Sequence, residues 1–136
     1  MEKYIFKGRV ISKGFAEGLA LVSPEPISFY GGVDPDKGIV IEKGHPLYGK
    51  SVKDKILVFP YGKGSTVGSY IIYRMVKNKV GPLGIINMEA EPIVAIGAII
   101  SRIPLIDKVD KSFFSLIEDG DILRIDGYEG FITLEK

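Results

Sequence analysis

Within the stretch ILVFPYGKGSTVGSYIIYRM an apolar run stops at Pro60, the chain passes Gly62 and Gly64, and Ser65 arrives where a helical pattern begins. A strand, a glycine-rich turn and a helix start together aim free backbone N–H groups and the positive end of a helix dipole at whatever lies above the turn. Gly62 and Gly64 let the backbone approach a ligand with no Cβ in the way. An oxyanion or a carboxylate suits such a place. The segment is not a nucleotide-binding P-loop, because Lys63 lies between the two glycines and the glycine spacing is too short. Ser65, followed by Thr66, has two readings. Serine is a good helix N-cap, worth ~1 kcal/mol, and capping is the commoner role. Serine is also a feeble base, able to take a proton only where N–H donors, nearby cations and exclusion of water hold its alkoxide.

Other residues able to do chemistry are few. His45, in EKGHPLYGKS, is the sole imidazole. It suits a proton shuttle or a phosphoryl acceptor, yet no acid stands at an orienting position, and packing within its loop is the commoner role. In GGVDP, Gly31 and Gly32 supply unusual backbone angles and Asp34-Pro35 makes a cap or the start of a turn. Glu89 and Glu91 follow an apolar strand, where they either face a site or open the next helix, whose dipole favours acids.

The elements that position these groups are short. The chain has 136 residues, 17 glycines and 8 prolines, which fits one turn-rich globular domain over residues 1–136. The net charge is +1 with lysines and arginines scattered, which argues against a nucleic-acid or membrane surface. With no cysteine and one histidine, neither disulfides, thiolate ligation nor a self-contained zinc site is expected, so this chain alone binds no metal. No apolar stretch reaches the ~20 residues of a membrane span, and the first residues do not resemble a signal peptide. A cytoplasmic location is the expectation.

Residues 4–11 alternate as a strand, and Ser12-Lys13-Gly14 turns the chain toward a returning strand at residues 16–22, predicting an opening hairpin. A long ordered loop rich in Gly, Pro and Asp follows, holding a small strand at residues 39–41. Loops of this length in compact domains are more often functional than idle. Ile56 to Phe59 is a strand covered on both faces. From Thr66 the spacing turns helical: Val67, Ile71 and Met75 form one stripe, with Ile72 and Val76 beside it. Ser69, Lys77 and Asn78 face elsewhere. Gly81-Pro82 stops this helix. A second buried strand spans residues 85–88, and Pro92 opens a helix through IVAIGAII. A short strand at 104–106 and a hairpin of residues 121–125 and 131–134 close the chain. The class is α/β.

Four segments in series, GGVDPDKGIV (Gly31 to Val40), GHPLYGKS (Gly44 to Ser51), KILVFPYGKGSTVGS (Lys55 to Ser69) and GPLGIINMEAEPIVAIGAIISRIPLID (Gly81 to Asp107), resemble the small subunit, or swivel domain, of the aconitase X group. The resemblance implies a swivelling β/β/α domain like the mobile fourth domain of aconitase, here as a separate polypeptide. It implies a hydro-lyase that works as a heterodimer, with a Cys-bearing large subunit holding a [4Fe-4S] cluster whose open iron acts on the leaving hydroxyl. Archaeal members of this kind dehydrate (R)-5-phosphomevalonate to trans-anhydromevalonate 5-phosphate on the mevalonate route to isoprenoids. The family's proton-accepting serine maps onto Ser65. Gly62, Lys63, Gly64, Thr66 and His45 are the candidates for substrate binding.

One departure stands out. Aconitases continue this turn with a second serine and then an arginine that clamps substrate carboxylate, whereas this chain has Thr66 and Val67. The clamp is missing, which argues against citrate and leaves anion binding to backbone N–H groups, Lys63 or the large subunit. Three other readings remain: a dehydratase of a hydroxyproline-like acid, a phosphoryl-carrier swivel domain using His45, and a purely structural partner subunit.

Overall fold

A computed structural model describes residues 2–136. Its strands and helices run in the order β1 (Lys3–Lys7), β2 (Arg9–Ser12), β3 (Phe15–Val22), β4 (Ile27–Ser28), a helical turn α1 (Phe29–Gly32), β5 (Val33–Asp34), β6 (Ile39–Val40), β7 (Lys55–Phe59) and β8 (Gly62–Lys63). Then follow α2 (Gly68–Lys77), β9 (Gly84–Asn87), α3 (Pro92–Ser101), β10 (Leu105–Asp107), α4 (Lys111–Leu116), β11 (Ile122–Asp126) and β12 (Phe131–Glu135).

Eight strands form one mixed sheet in the order β1-β12-β11-β3-β7-β9-β10-β2. Its centre is parallel: β3 pairs with β7, β7 with β9 and β9 with β10. Parallel neighbours need crossovers, and α2 and α3 supply two of them. Strand β7 shows why the centre is so apolar. Its alternate residues feed different cores, Leu57 and Phe59 packing with Ile72, Met75, Val94 and Ala98 beneath the two helices. Ile56 and Val58 pack on the other face with Phe113, Leu123, Ile132 and Leu134. Two buried faces leave no polar side to the strand, as its continuous apolar run requires.

Two expectations fail. The predicted opening hairpin does not form: β1 pairs with β12, β2 with β10, and β3 lies between β11 and β7. Both ladders of β3 are therefore occupied by strands distant in sequence. Gly8 separates the first two strands, seated so tightly that a Cβ would lie 2.6 Å from Ile106 Cγ2 and 2.7 Å from the Asp107 carbonyl. The helical stripe is also displaced. Helix α2 begins at Gly68 after a tight turn in which Gly68 N–H donates to the Ser65 carbonyl at 2.9 Å, and Ser69 N–H to that of Thr66 at 3.3 Å. That turn leaves Val67 42% exposed and buries Ser69, whose hydroxyl donates to the Ile93 carbonyl at 2.6 Å. Ser69 thus fastens α2 to α3.

The long loop is ordered as expected, and its small strand β6 pairs antiparallel with β5. Asp34 opens a turn by accepting from the N–H groups of Asp36 and Lys37. Asp36 then meets Arg74 of α2 at 2.8 Å, so this loop docks on the helix that follows Ser65. No helix among the described residues is long and apolar enough to cross a membrane.

Candidate active site

The Gly62–Ser65 turn leaves the sheet at the carboxyl end of β7, and its path is fixed by two neighbouring segments. On one side the loop after β9 is tied in by the Pro60 carbonyl, which accepts from Met88 N–H at 3.0 Å and Glu89 N–H at 3.2 Å. The buried Asn87 side chain adds a bond from Nδ2 to the Phe59 carbonyl at 3.0 Å. That loop is itself anchored by Asp107, wholly buried, which takes both nitrogens of a fork from Arg9 and the Ala90 N–H at 2.8 Å. The fork onto the Asp107 carboxylate raises the pKa of the Arg9 guanidinium above its usual value. On the other side β4 pairs in parallel with β8, Ile27 opposite Gly62 and Ser28 opposite Lys63.

The two glycines are required for different reasons. A Cβ on Gly62 would lie 2.3 Å from Val94 Cγ2 and 2.6 Å from Glu91 Oε1. Only the missing side chain lets the turn lie against the start of α3. Gly64 has φ +92°, in the left-handed region, and a Cβ there would lie 2.5 Å from Ser28 Oγ. Glu91 caps α3, its carboxylate accepting from Ile93 N–H and Val94 N–H at 2.8 Å each. Of the two acids left open by the sequence, Glu91 therefore opens a helix and presses on Gly62. Glu89 is exposed, with Lys108 Nζ at 3.9 Å.

Ser65 is exposed on this turn, and its hydroxyl oxygen accepts the Val67 N–H at 3.2 Å. It is a cap of the turn that leads into α2 rather than of α2 itself. Lys63, Gly64 and Thr66 are exposed beside it, while Gly62 is buried. Thr66 opens a groove of about 270 Å³ between α2 and α3, lined also by Tyr70, Pro92, Ile93, Ile96 and Ile100. His45 is set apart from this exposed group: it is buried, with Nδ1 accepting the Leu47 N–H and Nε2 at 3.0 Å from the Pro26 carbonyl. Both ring nitrogens are engaged.

Sequence reading missed Ser28, Asp107 and Asn87. Each acts through a partner remote in the chain, and nothing local to these residues announces that partner. Glu91 did carry a signal, an acid directly before a proline at the first helical position.

Comparison with known proteins gives a coherent set of likenesses. The family model described as the aconitase X swivel domain matches residues 5–134. A protein of Methanosarcina acetivorans named phosphomevalonate dehydratase small subunit is 58% identical over 130 residues, covering 96% of this chain and 90% of that protein. A protein of the same name from Thermococcus sibiricus is 52% identical, covering 96% and 98%. The crystal structure of Thermococcus kodakaraensis aconitase X in its holo-form superposes with a TM-score of 0.93 at 50% identity, covering 98% of this chain and 99% of the other. The swivel-type α/β fold implied by the sequence motifs is thus the observed one.

Proposed function

The chain belongs to the aconitase X swivel-domain family, and from that premise we propose that it is the small subunit of a heteromeric phosphomevalonate dehydratase in which Ser65 accepts the substrate proton. It is a hydro-lyase subunit, and its partner is a large subunit. The observation that carries the reading is the extent of the likeness: relatives named as that small subunit match at 52% and 58% identity over nine-tenths or more of both chains.

The residues of the turn support the chemical part. In the reaction a C–H bond next to the substrate carboxylate breaks and its electron pair forms the carbon–carbon double bond. The C–O bond on the neighbouring carbon breaks and releases hydroxide, which the proton given up by Ser65 at the end of the turnover converts to water. Ser65 Oγ takes the proton. Its negative charge is favoured by the Val67 N–H already aimed at it and by the amino end of α2, where the helix dipole is positive. Lys63 and the N–H groups of the turn are the candidates on this chain for the substrate's anionic groups, with Gly62, Gly64 and Thr66 shaping the approach.

Aconitase-like dehydratases are iron–sulfur enzymes as a family, and the donor set of this chain does not fit such a cluster. It has no cysteine, and among the described residues no group of three or more His, Cys, Asp or Glu side chains is placed to hold a metal ion. In this reading the [4Fe-4S] cluster belongs to the large subunit, and the heterodimer brings Ser65 to it. The outer face of α2 and α3 suits that partner. Helix α3 carries no charged residue, Ile96 and Ile100 are about half exposed and Tyr70 is 69% exposed, all bordering the groove that opens at Thr66.

Anaerobic reconstitution with the large subunit tests the reading, with (R)-5-phosphomevalonate and a hydroxyproline-type acid offered separately. The expected result is dehydration of phosphomevalonate by the pair and by neither chain alone. Turnover of the hydroxyproline-type acid instead would replace the substrate. Turnover by this chain alone would overturn the heteromeric reading.

A further inference from the structure

We propose that His45 is a positioning residue for the Ser65 turn, acting through one peptide plane rather than on the substrate. Its ring is buried, and Nδ1 accepts the Leu47 N–H at 3.0 Å. An accepting Nδ1 carries no proton, so the proton of the neutral ring sits on Nε2. Nε2–H then donates to the Pro26 carbonyl at 3.0 Å. That carbonyl and the Ile27 N–H are the two ends of a single planar peptide unit. The Ile27 N–H donates to the Tyr61 carbonyl at 3.3 Å, the bond at which the β4–β8 pairing begins. His45 grips one end of the plane and the residue before Gly62 grips the other.

The grip matters because β4 and β8 are only two residues long each, too short to hold their own alignment. Ser28, the last residue of β4, lies against Gly64, where its hydroxyl occupies the space a side chain would need. Rotating the Pro26–Ile27 peptide breaks the bond to Tyr61 and shifts Ser28, and Gly64 loses the wall that sets its left-handed conformation. Ser65 is the next residue. The chain of contacts runs His45, Pro26, Ile27, Tyr61, and through Ser28 to Gly64.

Two amides separate the two bonds of the ring. In His45→Asn the side-chain oxygen stands near the place of Nδ1 and keeps the acceptor for Leu47, but the donor to Pro26 is gone. In His45→Gln the terminal NH₂ reaches toward the Pro26 carbonyl and the acceptor is gone. The first measurement is the amide spectrum of the isolated chain. The Asn variant should move the Ile27, Gly62, Gly64 and Ser65 resonances, and the Gln variant should leave them near their original places. The second is turnover of the pair, and this arm rests on the function proposed above. His45→Asn should lower kcat by about tenfold, equivalent to ~1.4 kcal/mol, with KM unchanged, while His45→Gln stays close to the unsubstituted enzyme.

A merely structural histidine would make both variants lose kcat in step with their Tm, and that pattern overturns the proposal. So does an Asn variant whose Gly62 to Ser65 resonances stay in place. Should the Asn variant fail to fold, the ring ¹⁵N spectrum of the unsubstituted chain decides. A neutral ring protonated on Nε2 is expected, and one protonated on Nδ1 refutes the contact with Pro26. The amide and ring measurements need no partner, so a pair without dehydratase activity would defeat the proposed function and leave this inference to be judged separately.

Discussion

Gly62→Ala should damage stability and turnover together, for a steric reason alone. Gly62 lies in β8 with no left-handed φ, so its backbone suits any residue and only space excludes a side chain. The added methyl would stand 2.3 Å from Val94 Cγ2 and 2.6 Å from Glu91 Oε1. Neither neighbour yields easily. Val94 is buried and β-branched within a helix, which leaves one favoured χ1, and the Glu91 carboxylate is held by two cap bonds. Ordinary contact requires the turn or α3 to move by about 1 Å, and overpacking of this kind costs ~1–3 kcal/mol. For a chain of this size each ~1 kcal/mol lowers Tm by roughly 3–5 °C. A ~1 Å displacement three residues from Ser65 should lower kcat by about 100-fold. Unfolding of the isolated chain followed by calorimetry gives the first number, and turnover of the reconstituted pair the second. Val94→Ala supplies the control, because deleting Cγ2 removes half of the clash. The double variant should be at least ~1 kcal/mol more stable than the two single losses predict by addition. Strict additivity, or a Gly62→Ala protein of unchanged Tm, would refute the steric argument.

Other perturbations follow from the same contacts. Glu91→Ala removes both cap bonds of α3 and should cost ~1–2 kcal/mol, read as a lower Tm, whereas Glu91→Asp should keep part of the cap. Asp107→Asn leaves Arg9 without its carboxylate fork and weakens the anchor of Ala90, so Tm should fall and amide exchange should quicken across residues 88–91; unchanged exchange would contradict the anchoring role. Ile100→Asp adds a charge to the exposed face of α3, so the isolated chain should keep its Tm while sedimentation of the mixture shows weakened assembly with the large subunit. Assembly as tight as before would remove that face from the interface.

How far the sequence could be read depended on whether a residue's partners were near it in the chain. Strand β7, the glycine turn and the strand β9 were legible because continuous apolar runs and a change of spacing are local signals. Helix α3 was legible from Pro92, and the closing hairpin of β11 and β12 from the Asp126-Gly127 turn. The opening hairpin was misread because residues 4–11 and 16–22 alternate like neighbours, while the pairings that win join the two ends of the chain. Ser69 was misread because the tight turn at residues 65–67 rotates α2 relative to a helix counted from Thr66. Helix α4 was missed, its six residues being too few to show a period. Within the site, Ser65 and its glycines stood out from composition. Ser28 and Asp107 could not, since a serine and an aspartate acquire their roles only from what the fold lays against them. His45 was visible as the only imidazole, yet the bonds of its two nitrogens belong to the folded loop.

The most direct test compares Ser65→Ala with Ser65→Asn in the reconstituted dehydratase. Asparagine caps a turn as well as serine does and keeps an oxygen for the Val67 N–H, but it has no hydroxyl to accept a proton. The alanine variant should lose ~1 kcal/mol of stability and the asparagine variant almost none. Both should still assemble with the large subunit, and both should lose ~10²–10⁴-fold in kcat, the range expected for removal of a general base. An asparagine variant that turns over phosphomevalonate at the rate of the unsubstituted pair would show Ser65 to be a cap and nothing more.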